Sequence, residues 1–331
     1  MKKDYHEKIS VIMSTYNTHK EILLKSINSI LNQSYKNIEL IIVCDGICED
    51  YNIISNIKDK RIVLVQNDRN YGLPYSLNKA IEISKGSFIA RMDSDDVAKK
   101  NRLEIQYKFM IKHPNIDIYG MEARRIGNGH GKISLYYNHE NDINYQLIYE
   151  SCFVHPTIMF RKSFLVKNNI KYNEEYRSAQ DFELWSRINK NNMALIKKVG
   201  LYYRIHESQI GTEKKEEQAA NAIKIIKRNV IKRYGNEKKI IDCFLVLSLR
   251  KKISTTEQIL ELSKNIDLIL KKEKFDINKK RVLYTRFFHV LLKNNLLFNN
   301  IIFIIKNDNV RNKVLNLRNL FYVFYKIKNY L

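Results

Sequence analysis

Three carboxylates at the end of one strand-like segment are the residues of this chain best suited to binding a cation. Asp93, Asp95 and Asp96 follow the apolar stretch 87–91. Side chains alternate along an extended segment, so Asp93 and Asp95 are expected to face one ion while Asp96 turns away. Mg²⁺ or Mn²⁺ binds few protein carboxylates and completes its coordination with water and substrate phosphates, which predicts a nucleoside diphosphate compound as ligand. The alternative is an acidic turn that caps a helix over 99–111.

The residues before this cluster alternate between strand and helix patterns. Short apolar runs predict strands, and apolar residues three and four positions apart predict helices. The predicted strands are 9–13, 38–43, 62–65 and 87–91, and the predicted helices are 20–31 and 75–84. In such a doubly wound α/β arrangement, ligands sit outside the carboxyl ends of the strands. Because Asp45 follows the second strand, the sequence predicts two acidic strand ends that face one crevice.

Four motifs in this region occur together and in a fixed order. They are residues 9–17 (ISVIMSTYN), 43–46 (VCDG), 70–73 (NYGL) with 76–78 (SLN), and 91–96 (RMDSDD). In this combination they resemble family-2 glycosyltransferases of the GT-A fold, and the resemblance extends over about residues 7–210. It implies an α/β fold in which a Rossmann-like mixed sheet is flanked by helices. The remainder of the chain resembles no family, and its pattern predicts a mostly α-helical extension.

The resemblance implies roles for residues at the strand ends. Thr15 and Asp45 would hold the nucleoside, with Asp45 accepting hydrogen bonds from the base or the ribose. Asp93 would contact the ribose or metal-bound water, and Asp95 would bind Mn²⁺ or Mg²⁺ directly. Arg91 would assist at the diphosphate; the alternative for Arg91 is a surface arginine at a strand end.

A second acidic motif, residues 178–185 (SAQDFELW), resembles the one that begins the helix beneath the acceptor site in this family. The family's usual Glu-Asp pair is Gln180-Asp181 here. Asp181 corresponds to the aspartate that removes a proton from the acceptor hydroxyl, a role that contributes ~10²–10⁴ in rate. Attack from the face opposite the diphosphate would invert the anomeric centre. The alternative for Asp181 is a helix cap, and Trp185 is expected in the core rather than against a sugar.

Two histidines complete the resemblance. Residues 203–209 (YRIHESQ) contain His206, which the family pattern places at the metal or the diphosphate. Neutral imidazole is a suitable ligand for Mn²⁺ and a poor one for Mg²⁺. His155 precedes a proline, and a hydrogen-bonded structural role is the alternative for it.

Composition bounds the rest of the molecule. A chain of 331 residues can hold one large domain and an appendage, predicted here as a nucleotide-sugar-binding and catalytic domain over 1–210 and a basic helical region over 211–331. The four cysteines form no Cys-x-x-Cys pair, and the first residues do not read as a signal peptide. No apolar run approaches the ~20 residues that span a bilayer. These features predict a cytoplasmic protein.

Positive charge is concentrated in the C-terminal region. The net charge is +23, and residues 211–331 contain 27 basic and 11 acidic residues. The pattern predicts helices at 213–234, 239–251, 256–272 and 279–294. Basic amphipathic helices favour peripheral contact with an anionic membrane surface on the inner face of the cytoplasmic membrane. The alternative is a helical bundle whose lysines are only solvated.

The predicted function is an inverting, metal-dependent transfer of a sugar from a nucleotide-sugar donor, a UDP-sugar, to a hydroxyl of a growing glycan or lipid-linked saccharide. By family likeness, the pathway would be synthesis of a bacterial capsule, O-antigen or lipooligosaccharide. A nucleotidyltransferase on a similar scaffold is one alternative, although the chain contains no glycine-rich phosphate loop. A nucleic-acid-binding protein is another, suggested by the charge and 21 tyrosines. Clustered acids would repel phosphate backbones, so no nucleic-acid partner is expected.

Overall fold

The structure, a computed structural model, describes residues 7–133, 143, 146–188, 192–206, 214–273, 277–296, 300, 304 and 306–314. Its described residues contain one mixed sheet of nine strands. The strands are β1 (Ile9–Thr15), β2 (Ile38–Cys44), β3 (Ile62–Gln66), β4 (Phe88–Asp93), β5 (Val97–Ala98), β6 (Ile118–Gly127), β7 (Lys132–Ile133), β8 (Met159–Arg161) and β9 (Met193–Ile205). The helices of the same part of the chain are α1 (Lys20–Leu31), α2 (Glu49–Ser55), α3 (Leu73–Ile83), α4 (Arg102–Lys112), α5 (Lys162–Lys167) and α6 (Gln180–Arg187).

Parallel pairing builds the first half of the sheet. Strands β3, β2, β1 and β4 lie side by side and parallel, and β1 and β2 are almost completely buried. Such near-continuous apolar strands are typical of a sheet covered on both faces. The register pairs Thr15 with Cys44 and Ser14 with Asp93. The carboxyl ends of β1, β2 and β4 therefore meet at one edge, which places Asp45 and Asp93 on the same side of the sheet.

Antiparallel pairing builds the second half. Strand β8 pairs antiparallel with both β4 and β6, and β9 pairs parallel with β6 and antiparallel with β5. The long strand β9 begins beside β6 and, near its end, pairs Tyr202 with Val97. This pairing brings residues just after Tyr202 next to the chain that follows β4, and the expected mixed sheet flanked by helices is confirmed.

The chain forms two compact units. One contains Met1–Glu140 and Ser151–Gln218, and the other contains Asn141–Glu150 and Ala219–Leu331. Helices of the second unit are α7 (Lys215–Tyr234, which starts in the first unit), α8 (Lys238–Leu247), α9 (Thr256–Lys272), α10 (Ile277–Lys293) and α11 (Asp308–Val314). Within it α8 packs on α9 and α10, and α11 packs on both of these helices. The predicted division after residue 210 stays a prediction about separable domains. None of the helices in the described part of the chain is both long enough and apolar enough to cross a membrane.

Candidate active site

The three acids after β4 lie close together. One carboxylate oxygen from each of Asp93, Asp95 and Asp96 lies within 4.8 Å of the other two. The expectation that Asp96 would face away is wrong. Strand β4 ends at Asp93 and the chain turns through Ser94 and Asp95, so the alternation of an extended strand no longer applies. The turn directs all three carboxylates toward one point.

Asp96 is completely buried, with one satisfied oxygen and one unsatisfied oxygen. Its Oδ1 accepts the backbone N–H of Arg204 at 2.8 Å, and its Oδ2 is buried without a hydrogen-bond donor among the described residues. Burial raises the pKa of Asp96 well above its usual value, and the neighbouring charges of Asp93 and Asp95 raise it further. A buried oxygen without a donor, beside two other carboxylates, fits a hard divalent cation.

His206 lies beside the acidic turn, and its predicted role at the metal or the diphosphate stays a prediction. Its Nε2 is 2.8 Å from Oδ2 of Asp95, and the Nε of Arg204 donates to the backbone carbonyl of Asp95 at 2.8 Å. Both residues are at the end of β9, which the β5–β9 pairing holds beside the acidic turn. A donor set of carboxylates and one imidazole fits Mn²⁺, and its carboxylates alone fit Mg²⁺. The remaining residues of the predicted 203–209 motif, 207–209, lie outside the described residues.

Arg91 is buried beneath the cluster, so the surface alternative is wrong. Only 2% of it is exposed, and its two terminal nitrogens bind both carboxylate oxygens of Asp93, with Nη1 donating to Oδ2 at 2.7 Å. Burial raises the pKa of Asp93 to about 6, against the opposing effect of Arg91. A second buried guanidinium, Arg102, donates to the backbone carbonyl of Arg91 at 2.7 Å. The positive charges of Arg91 and Arg102 thus partly neutralise the acidic cluster.

Asp45, at the end of β2, is engaged by the protein's own donors. It accepts the backbone N–H of Tyr71 at 3.0 Å and of Gly72 at 2.8 Å, and the side-chain amide of Asn67 at 3.0 Å. Gly72 has a φ of 99°, a left-handed conformation that glycine adopts without strain, and α3 starts at the next residue, Leu73. Asp45 therefore organises the loop of the 70–73 motif, and its contact with a base or ribose stays a prediction.

Thr15 connects the first strand to the acidic turn. Its hydroxyl hydrogen-bonds to the carboxylate of Asp50 and lies 3.0 Å from the hydroxyl of Thr18, which is 2.8 Å from that of Ser94. Sequence reasoning missed Asp50 together with its helix α2. The available signal was a pair of acids, Glu49 and Asp50, after a turn, which is typical of a first helical turn. The predicted contact of Thr15 with the nucleoside stays a prediction.

Asp181 is the second residue of α6. The N-cap is Ala179, in a left-handed conformation with no side-chain cap bond, so Asp181 is not the cap. The hydroxyl of Ser151 donates to Oδ2 of Asp181 at 2.9 Å. Burial raises the pKa of Asp181, while the N–H of Phe182, the Ser151 hydroxyl and the charge of Arg91 oppose that shift. The positive charge of Arg91 therefore lowers the pKa of Asp181 as well as that of Asp93.

Ser151 has no motif around it, and sequence reasoning missed it.

Trp185 and His155 both pack in the core near Asp181. Trp185 is fully buried, with its ring centre 5.6 Å from that of Phe153 in an edge-on contact. The ring of His155 lies with its Nε2 2.7 Å from the hydroxyl of Tyr172, and burial lowers the pKa of His155 well below its usual value. His155 is therefore a neutral, hydrogen-bonded group of the core.

Most of the unit that contains the sheet is similar to known proteins. Residues 10–168 match the model of the family described as glycosyl transferase family 2. The O-antigen biosynthesis glycosyltransferase WbnJ of Escherichia coli is 38% identical over 186 residues, which cover 54% of this chain and 71% of WbnJ. The UDP-Glc:alpha-D-GlcNAc-diphosphoundecaprenol beta-1,3-glucosyltransferase WfaP of Escherichia coli is 29% identical over 228 residues, 66% of this chain and 87% of WfaP.

A solved structure supports the fold. S. aureus TarS 1-349 in complex with UDP-GlcNAc superposes with a TM-score of 0.58 at 20% identity, covering 94% of this chain and 91% of TarS 1-349. At this level of identity the likeness establishes the fold. The α/β GT-A class with a helical C-terminal portion, expected from the motifs, is confirmed.

Proposed function

Since this chain belongs to glycosyltransferase family 2, we propose that it transfers a sugar from a UDP-sugar to a hydroxyl of a growing glycan or lipid-linked saccharide, with inversion and with a divalent metal. The observation that carries the proposal is the convergence of three carboxylate oxygens within 4.8 Å at the end of β4. Carboxylates converge in this way at cost, because like charges repel. A bound divalent cation would offset that repulsion and would in turn attract the anionic diphosphate of the donor.

The residues that would hold Mn²⁺ or Mg²⁺ are Asp95, Asp96 and His206. The orphaned Oδ2 of Asp96 and the pairing of His206 with Asp95 support this set. When bound, the ion supplies Lewis-acid stabilisation of charge on the diphosphate. Arg91 fixes Asp93 in place through its paired nitrogens, which leaves Asp93 suited to accept a hydrogen bond from a ribose hydroxyl.

Asp181 would serve as the general base. The Ser151 hydroxyl holds its Oδ2, and the carboxylate would take the proton of the acceptor hydroxyl. A raised pKa makes a carboxylate a stronger base, provided that it stays ionised at the working pH. A base on the face opposite the diphosphate gives direct displacement and inversion of the anomeric centre.

The donor and acceptor classes come from the relatives. TarS 1-349 binds UDP-GlcNAc, WfaP by its name uses UDP-Glc and a diphosphoundecaprenol-linked sugar, and WbnJ acts in O-antigen biosynthesis. We extend these properties to this chain as a proposal: a UDP-sugar donor, a lipid-linked acceptor, and a role in bacterial surface polysaccharide biosynthesis. A lipid-linked acceptor lies in the membrane, so the enzyme would work at the cytoplasmic membrane surface. Its basic C-terminal region would make the contact with that surface.

Donor hydrolysis tests the proposal without knowledge of the acceptor. Purified protein with Mn²⁺ or Mg²⁺ is mixed with UDP-, GDP- and dTDP-sugars, and the released nucleoside diphosphate is measured. We expect metal-dependent release of UDP from one donor, and its loss in Asp95→Ala but not in Glu82→Ala, which removes an exposed acid of α3. Absence of release from every donor, together with absence of a nucleotide-induced thermal shift, would reject the proposal.

A further inference from the structure

Helix α7 has two faces of opposite character. One face is buried and apolar: it carries Ala222, Ile225, Ile226, Val230 and Tyr234. These residues are already packed against protein. Helix α7 therefore has no unfilled apolar side with which to insert deeply into a membrane, and any ligand of this helix must be recognised by its exposed side.

The exposed face carries what we define as the basic stripe: Lys224, Lys227, Arg228, Ile231 and Lys232. Their spacing of three, four, seven and eight residues places them along one side of a helix. No acidic residue occurs in the sequence between Glu217 and Glu237. Among the residues that the structure describes, Lys224, Lys227 and Lys232 have no carboxylate partner. The three lysines of the stripe are therefore positive charges that no carboxylate of the described residues pairs with.

We infer that the basic stripe of α7 binds the surface of an anionic lipid bilayer. This inference rests on the proposed function, because a lipid-linked acceptor requires the enzyme to work at a membrane. Lipid headgroups carry the complementary charge, and each basic residue near such a surface contributes to binding. Ile231, 42% exposed near the end of the stripe, adds a shallow apolar contact at the level of the headgroups.

The stripe suits a bilayer better than a nucleic acid. Single-stranded nucleic acids bind to grooves in which aromatic side chains stack on the bases. The aromatic residue of α7, Tyr234, is buried and lies on the other face. A flat charged band without exposed aromatic residues matches the diffuse charge of headgroups. Lys238 and Lys239, exposed at the start of α8, add positive charge near the end of the stripe.

Vesicle co-sedimentation tests the inference with the full chain. The probe is vesicles of phosphatidylglycerol and phosphatidylcholine, compared with vesicles of phosphatidylcholine alone. We expect salt-sensitive binding to the anionic vesicles only. The triple variant Lys224→Glu, Lys227→Glu, Lys232→Glu should lose at least ~100-fold in partition coefficient, which corresponds to about 1 kcal/mol for each of the three lysines.

A matched triple variant separates the stripe from net charge. Lys252→Glu, Lys264→Glu, Lys271→Glu changes exposed lysines elsewhere in the second unit by the same total charge. It should keep most of the binding. Equal loss in both triples, binding unaffected by the first triple, or preferential binding of the stripe to RNA would overturn the inference.

Donor hydrolysis by the same preparations keeps the two proposals separate. Both triples should hydrolyse the donor at the rate of the unmodified chain, because the changed lysines are on α7, α9 and the segment between α8 and α9. Hydrolysis without vesicle binding would reject the stripe and leave the proposed function standing. Vesicle binding without hydrolysis of any donor would reject the proposed function and leave membrane binding by the stripe standing.

Discussion

Asp45 and Asp96 are both buried aspartates at the carboxyl edge of the sheet, and their surroundings are opposite. Both oxygens of Asp45 accept hydrogen bonds from the protein: Tyr71 and Asn67 donate to one, and Gly72 donates to the other. Asp96 has one backbone donor, and its other oxygen has none among the described residues. Two acids that look equivalent along the chain are therefore a structural anchor in one case and a carboxyl group with an unsatisfied oxygen in the other.

This difference shows how a protein divides one residue type between architecture and ligand binding. A carboxylate that is fully hydrogen-bonded stabilises the loop that supplies its donors. A buried carboxylate oxygen that lacks a donor costs free energy unless a proton or a cation neutralises it. Asp96 thus has an oxygen without a donor among the described residues, whereas both oxygens of Asp45 accept hydrogen bonds from the protein.

The same isosteric substitution should have opposite effects at the two positions. In Asp96→Asn the amide oxygen can still accept the N–H of Arg204, while the amide nitrogen replaces the orphaned oxygen. We expect the fold to persist and metal-dependent donor hydrolysis to fall about 10²–10³-fold, because a Lewis acid contributes several kcal/mol. Hydrolysis rates measured at saturating Mn²⁺ check this. Activity near that of the unmodified chain would show that Asp96 is as structural as Asp45.

Asp45→Asn should act mainly on stability. An amide nitrogen would face a backbone N–H that now donates to a carboxylate, so at least one donor becomes unsatisfied. We expect the free energy of unfolding to fall by about 1–3 kcal/mol. Denaturant unfolding of the two Asn variants side by side measures the contrast. A larger stability loss for Asp96→Asn than for Asp45→Asn would reverse the comparison.

The unsatisfied acids should also make stability depend on pH and metal. Burial raises the pKa of Asp93 to about 6 and that of Asp96 in the same direction. Between the unfolded value near 4 and these raised values, the folded protein retains protons that the unfolded chain releases. Stability should therefore fall as pH rises through this window. A thermal melt should lose a few degrees by about pH 7, and Mn²⁺, which binds the ionised acids, should restore them. A slope that Mn²⁺ does not change would argue against the cluster as its binding site.

The smallest expected effect is at Ser151. Its hydroxyl stabilises the ionised form of Asp181, so Ser151→Ala should raise the pKa of Asp181 further. The acid side of the pH–rate profile for donor hydrolysis should move to higher pH, with little change on the plateau. Ser151→Thr keeps the donor and should restore the profile. A uniform loss at every pH would mean that Ser151 only packs against α6.

Sequence reasoning located the elements whose evidence is local. Helices α1 and α9 have the predicted bounds, and β1, β2 and β4 differ from prediction by one or two residues at their ends. These elements have strong apolar periodicity and clear turns between them. The acidic turn was identified by composition, but its geometry was predicted wrongly because alternation was extended past the last residue of β4.

The contacts that sequence reasoning missed are non-local. Asp50 meets Thr15 across 35 residues, and Ser151 meets Asp181 across 30. A lone serine or an aspartate in a short helix has no periodicity that distinguishes it from a surface residue. The pairing of β1 with β2 brings the Thr15 end of the first strand close to the start of α2. Ser151 lies before β8, whose antiparallel pairing with β4 and β6 nothing in the local pattern specifies.

The pairing of β9 with β5 also dictates when the acidic cluster can exist during synthesis. Asp95 and His206 are 111 residues apart, and Arg204 reaches Asp96 across 108. Contacts of this sequence separation form late, because loop closure must precede them. A nascent chain that has emerged only through Asp96 therefore carries three mutually repelling acids without the residues at the end of β9 that later contact them. Release of the end of β9 from the ribosome is the step that lets Arg204 and His206 reach the acidic turn, and it completes the proposed ion site.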